Sequence, residues 1–224
     1  MNINKKQQQT ECNRCGICCT KGGPALHSQD LQLVIGGGIP RNSLITIRKG
    51  ELAYNPKTAT LKPVSCELIK IKGQGGDWRC MFYDESVKGC GIYQHRPFAC
   101  TVLECWNPKE LLELVEKDTL TRFDILKEND PMYSFVVEYE RLFPCPDLEE
   151  IAGWNKEVFQ RQAGELENMV GDDLAFRNRL VRQHGLKLDD ELLLFGRPLF
   201  QLLQPLGFSI IQGYNGIKLQ FSKR

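Results

Sequence analysis

Along residues 44–72 apolar and polar positions alternate, with Ile45 and Ile47 and then Ile69 and Ile71 set between polar neighbours. Period-two alternation turns one face of a strand to a core, so this stretch predicts short strands punctuated by the K-G and N-P turns. Residues 78–83 predict another short strand. Upstream, Ser28 with Asp30 in the first turn predicts the cap of a short helix, and the glycines at 36–38 end it. The G-G-G run lacks the preceding strand and following helix of a phosphate-binding loop, and reads as a helix stop. Residues 1–11 are polar and predict a frayed arm.

After Cys105 the spacing becomes helical. Asn107–Pro108 and Asp130–Pro131 each place a capping side chain before a residue preset for a first helical turn. From 147 to 170, Leu148, Ile151, Trp154, Val158 and Phe159 recur at helical intervals. Asp172 predicts the cap of a further helix carrying Leu174, Phe176, Leu180 and Val181, which closes at Gly185. Residues 208–212 and 217–221 flank Y-N-G, a hairpin signal. The fold class is therefore α+β. Residues 1–106 form a small cysteine-rich module with short strands, and residues 107–224 a mainly helical extension ending in a β-hairpin.

Composition narrows the function. A hydrophobic share of 42% supports a packed core, and 29 basic against 28 acidic residues give no pull towards nucleic acid or an anionic membrane. The start has no apolar segment of a secretory signal, and the greasy stretches at 192–195 and 199–203 are interrupted by Gly196, Arg197 and Pro198. The expectation is a cytoplasmic protein with no membrane or nucleic-acid partner, its protein partner undetermined. In a reducing cytosol disulfides do not persist, so ten cysteines, several of them clustered, point to metal or redox chemistry.

The densest cluster is C-N-R-C-G-I-C-C at residues 12–19. Cys12, Cys15 and Cys18 are three apart, a spacing that lets a turn aim successive thiolates at one point, as in zinc sites and iron–sulfur clusters. Three thiolates in series are the usual way to hold three corners of a cubane, so an iron–sulfur cluster is favoured over Zn2+. Cys19 follows directly, and adjacent side chains diverge, which sends it to a second site or to another side of the same one. Cys80, Cys90, Cys100 and Cys105 bring the set to eight. Eight thiols furnish two closed sites, one site with spare thiols, or one site open to a substrate. The C-x3-C-x2-C spacing of radical enzymes is absent. Cys66 and Cys145 fall outside both groups and read as core or supporting thiols. His95 reads as a surface or supporting residue, and His27 and His184 receive no role. Arg96 reads either as a donor to cluster sulfurs or a carboxylate or as an anchor of its turn, and Tyr93 as a ring packed over the site.

These residues resemble the CxxCxxCC family, also called the YkgJ family, which is described as a zinc- or iron-chelating domain. The run matches at Cys12, Cys15, Cys18 and Cys19, and the C-x-F element at Cys80 and Phe82. The C-x-I-Y-x-x-R-P-x-x-C element matches at Cys90, Ile92, Tyr93, Arg96, Pro97 and Cys100, and Cys105 fills the additional position. The resemblance spans the first half of the chain and implies these eight cysteines as metal ligands. The family also includes flagellin lysine N-methylases, but no nucleotide-binding motif is recognisable here. Three classes stay open: a structural, redox or accessory metal protein, a cluster-containing protein-modifying enzyme such as a lysine N-methylase, and a metal-delivery protein. Metal is expected to organise residues 1–106. Eight thiols suffice to saturate the metal, so no binding of S-adenosylmethionine is expected.

Overall fold

A computed structural model describes residues 9–75, 78–213 and 216–222. The alternating region folds as β1 (Leu44–Ile47), β2 (Leu52–Asn55), β3 (Thr60–Pro63) and β4 (Leu68–Ile71). β1 pairs antiparallel with β4, Leu44 opposite Ile71 and Ile47 opposite Leu68, and β2 pairs antiparallel with β3. Gly50 N donates to Val64 O (3.0 Å) and Val64 N to Glu51 O (3.0 Å), which joins the two pairs into one long bent hairpin. On the other edge of β4, Leu26 N donates to Ile69 O (2.8 Å) and Ile71 N to Pro24 O (3.1 Å). β4 is therefore held from both sides.

The strand expected at 78–83 shrinks to β5 (Tyr83–Asp84), paired with β6 (Gly89–Cys90). The reason is competition for the backbone: Cys80 N donates to Cys19 O (2.8 Å), which leaves Cys80 in a single antiparallel bridge with Gly73 instead of a strand. At the C-terminal end β7 (Phe208–Gly213) and β8 (Gly216–Phe221) form the expected hairpin, while Tyr214 and Asn215 of its Y-N-G turn lie outside the described residues. Of the polar arm, residues 1–8 also lie outside them.

The helices are α1 (Ile17–Thr20), α2 (Leu31–Ile35), α3 (Phe98–Thr101), α4 (Lys109–Glu113), α5 (Arg122–Ile125), α6 (Tyr133–Leu142), α7 (Leu148–Gly153), α8 (Lys156–His184), α9 (Leu188–Phe195) and α10 (Leu199–Leu203). Four expected starts shift, one being Asp130–Pro131, since α6 begins at Tyr133 with Met132 at its cap position and no side-chain cap. His27, not Ser28, caps the 3-10 turn that leads into α2, with its N–H donating to Asp30 Oδ2 (2.9 Å). Asn107 caps nothing, and α4 begins after Pro108 with no side-chain cap. Asp172 lies inside α8, because buried Leu166, Val170, Phe176 and Leu180 carry one apolar face straight past Gly171. The break falls earlier, where Asn155 Oδ1 accepts from Val158 N (2.9 Å) and restarts the helix after Trp154. Gly185 closes α8 in the left-handed conformation, as expected.

Among the described residues three large apolar cores result, with a small fourth of Ile47, Val64 and Leu68. Leu26, Ile39, Leu44, Ile69 and Ile71 share theirs with Leu120, Ile125 and Leu193 of α9, so apolar contacts cross position 106. A second core is aromatic, with Tyr139 ringed by Phe143, Phe176 and Phe195. The third packs α7, α8 and α10 beneath the β7–β8 hairpin. Between the first two lie buried charges. Arg122 Nε and Nη2 reach Glu67 Oε2 (3.0 and 2.5 Å), Nη2 also reaches Glu140 Oε1 (2.7 Å), and Nη1 donates to Leu194 O (2.9 Å). Arg177 Nε donates to Asp173 Oδ1 (2.7 Å) and Nη1 to Glu191 Oε1 (2.8 Å). Gly196, at φ +65°, ends α9 where an added Cβ would meet Thr46 O at 3.0 Å, so glycine lets α9 close onto β1.

Candidate metal centre

The cysteine run is shaped by Gly16. Its φ is +72°, and a Cβ there would lie 2.5 Å from Lys88 O and 2.7 Å from the Tyr83 ring. Only glycine combines that conformation with that approach. Gly16 opens the single turn α1, which carries Cys18 and Cys19. The Cys19–Cys80 backbone bond ties this turn to the second cysteine group. Cys90 is fixed opposite Tyr83 in β5–β6. Cys100 sits on α3, whose first residue, Phe98, donates its N–H to the buried Asp30 Oδ1 (2.7 Å).

Arg96 anchors its turn by donating to Tyr93 O (3.1 Å) and Cys100 O (3.3 Å). The Tyr93 ring takes two guanidiniums, Arg96 at 4.0 Å and Arg14 at 4.3 Å. Each such contact is worth about 0.5–1 kcal/mol at a partly exposed site, and together they clamp the first motif to the last.

Cys18, Cys19, Cys80, Cys90 and Cys100 line one cavity of about 380 Å³. Cys12, Cys15 and Cys105 are exposed and lie off its wall. Cys12 Sγ accepts from Arg14 N (3.4 Å), and Cys105 Sγ lies 3.7 Å from Gln9 Nε2. Cys19 shares the cavity with Cys18 rather than diverging from it. The two stand on a helical turn, where neighbours are about 100° apart, and not on a strand, where they would oppose. Among the described residues no three His, Cys, Asp or Glu side chains are gathered tightly enough to hold an ion.

Electrostatically the wall resists thiolates. Burial pushes the Cys100 thiol up to about 12, and the nearby Cys18, Cys80 and Cys90 add repulsion. Cys19 and Cys80 are raised as well, by burial first and then by neighbouring thiols. A bound cation reverses this balance, since a coordinating thiol gives up its proton outright. The donor chemistry fits zinc or iron, which take soft sulfur ligands, and not magnesium or calcium. The other candidate ligands on the wall are occupied: His27 Nδ1 lies 2.9 Å from Lys117 O, and Glu116 accepts from Ser65 Oγ. His95 is exposed. Cys66 packs with Ile47, Val64 and Leu68, and Cys145 beside the third core.

Sequence reading missed Gly16, Asp30 and Lys70 as parts of this site. Lys70 lies on β4 and lines the cavity, and burial pushes its pKa down while the nearby Cys80 partly offsets that. Its signal was present in L-I-K-I, where Lys70 shares a strand face with Leu68.

No curated protein and no solved structure matches the chain. A family model does match, over residues 11–122, which holds all eight cysteines of the two groups, and its description is "Putative zinc- or iron-chelating domain". With that model covering half of its length, the chain belongs to the CxxCxxCC family.

Proposed function

We propose that the protein holds iron or zinc through the thiolates of Cys18, Cys19, Cys80, Cys90 and Cys100, with an iron–sulfur cluster as the favoured form, and that it serves a structural, redox or accessory role in the cytoplasm. One observation carries the reading: five thiols from three separate segments line one cavity wall. A structural zinc and an iron–sulfur cluster each take four thiolates, and the cluster is favoured by the Cys12, Cys15, Cys18 series, the usual way to hold three corners of a cubane. The thiols come from segments far apart in the chain, so closing them on a metal contributes to local folding. Cys12, Cys15 and Cys105 join the set when the 9–15 segment closes on the metal, an arm that the Gln9–Cys105 contact supports. Balanced charge supports the absence of a nucleic-acid partner, and no described helix is long and apolar enough to cross a membrane.

The test is purification without oxygen, followed by metal and acid-labile sulfide analysis. Brown protein with iron and sulfide is expected. Colourless protein with tightly held zinc would replace the cluster by zinc, and metal-free protein from aerobic and anaerobic routes alike would sink the proposal.

A second reading is a cluster-containing enzyme, such as a flagellin-type lysine N-methylase. It is favoured by the thiols lining a cavity rather than a closed shell. Calorimetry of the metal-replete protein with S-adenosylmethionine separates the two, and stoichiometric binding would put the enzyme first.

A further inference from the structure

The same cavity continues beyond the thiols. Val64, Leu68, Phe82, Ile92, Leu111 and Leu114 carry its wall from the bent hairpin across the second cysteine group to α4. A volume of about 380 Å³ lies in the range of small-molecule sites, roughly 300–1,000 Å³, which typically pair an apolar wall with a few placed polar groups.

Lys70 is the placed polar group here. Its backbone sits mid-sheet, opposite Ile45 on one side and bridged to Ala25 on the other, so the side chain is delivered to the wall from a fixed base. Among the described residues no acceptor takes a hydrogen bond from its ammonium. A cation against an apolar wall is costly until a counter-charge meets it. Lys21 and Lys62 line the same cavity, the carboxylate of Glu116 is already held by Ser65, and the acidic group facing Lys70 is the Cys80 thiol, which the metal centre claims. The wall is thus complementary to an anion with an apolar body.

We propose that this cavity is a binding site for an amphipathic carboxylate, its chain against the Leu68–Leu114 wall and its head on Lys70. A carboxylate suits a single ammonium, a point charge. A phosphate, with three acceptor oxygens, is matched best by the bidentate fork of an arginine, and no arginine lines the wall. The site goes beyond metal binding and stands whether the thiols hold iron or zinc.

The experiment is calorimetry on the full-length, metal-replete protein with dodecanoate, dodecanol and dodecyl phosphate, with metal content measured on every sample. One-to-one binding of dodecanoate is expected, with dodecanol about tenfold weaker or more, the loss of one ion pair of about 1.4 kcal/mol, and tighter binding of dodecyl phosphate than of dodecanoate would overturn the assignment to a carboxylate. Lys70→Met should weaken dodecanoate to the level of dodecanol and keep its metal. Leu114→Trp, which fills the wall, should weaken both and also keep its metal. Wild-type protein that carries metal but shows no saturable dodecanoate binding overturns this proposal and leaves metal binding intact. So does equal affinity for acid and alcohol. Loss of metal from Lys70→Met would reassign the ammonium as the counter-charge of the thiol centre and overturn its role as the ligand's partner.

Discussion

Around Arg122 and Arg177 each buried guanidinium meets carboxylates and carbonyls at hydrogen-bond distance, whereas the thiols and the ammonium on the cavity wall find few partners beyond one another. Both regions bury polar groups, and both draw them from segments far apart in the chain. The difference is satisfaction. Glu67, Glu140 and Leu194 O complete Arg122, and Asp173 joins Tyr139, Arg177 and Leu199 N into one network. Such a set is finished and reads as architecture. The cavity thiols are raised in pKa by burial first and by their crowding second, and Arg96 near Cys100 and Lys70 near Cys80 offset this only in part, which is the state a metal relieves.

The comparison breaks most readily at Arg122. Replacing Arg122 by Met leaves Glu67 and Glu140 without their shared cation, and removing one partner of a buried pair costs about 3–5 kcal/mol. Chemical denaturation should show a loss of that size with metal content unchanged in the folded fraction. A loss below about 1 kcal/mol would mean that the network is no more than a surface-type pair.

Next comes the thiol wall itself. Cys90→Ser or Cys100→Ser should abolish stoichiometric metal while α8 and α9 keep their helical signal. Hydrogen exchange should rise most in the 12–21 and 80–105 segments and stay slower in β1, which packs on α9, and in β4, which pairs with β1, although Cys80 shares their apolar core. Full metal occupancy in either variant would remove that thiol from the ligand set.

Gly16→Ala should have a smaller effect. The left-handed conformation costs a non-glycine residue about 1–2 kcal/mol, and the Cβ contact with Lys88 O adds to it. Metal affinity should fall several-fold, because α1 must shift and carries Cys18 and Cys19 with it. Unchanged affinity would show that α1 does not set the thiol geometry.

The pH dependence is the finest test. The thiols of Cys19, Cys80 and Cys100 are raised above the ordinary value, so the metal-free protein holds them protonated at neutral pH. Binding must expel those protons, so metal affinity should rise with pH through the neutral range and up to the raised thiol values. Calorimetry in two buffers of different ionisation enthalpy reads the proton release, and an identical heat in both would contradict it. The arginine network carries the same sign of dependence in a lower pH range. Burial raises Glu140, but Arg122 and Arg48 outweigh it and hold its carboxyl below the usual range. Its contribution is present above the unfolded carboxyl value and is lost as pH falls through the lowered one. Glu140→Gln should therefore flatten the acid limb of stability against pH.

Local rules made much of this protein legible from its chain. Period-two alternation announced β1 and β4, Y-N-G the terminal hairpin, and Gly185 the end of α8, because each depends on residues within a few positions. The cysteine motifs were equally plain, since ligand spacing is a local property. The Asp172 cap misled because Gly171-Asp172-Asp173 has the look of a helix start, yet Asp173 is buried on Tyr139 and Leu199 N and the apolar face runs on. Tertiary structure alone decided which five of eight thiols share a wall, that Lys70 stands beside them, and that arginines occupy the interior. Each of these depends on pairing between segments tens of residues apart, such as Cys19 with Cys80 or Arg48 with Glu140, and no pattern within a segment encodes which faces will meet.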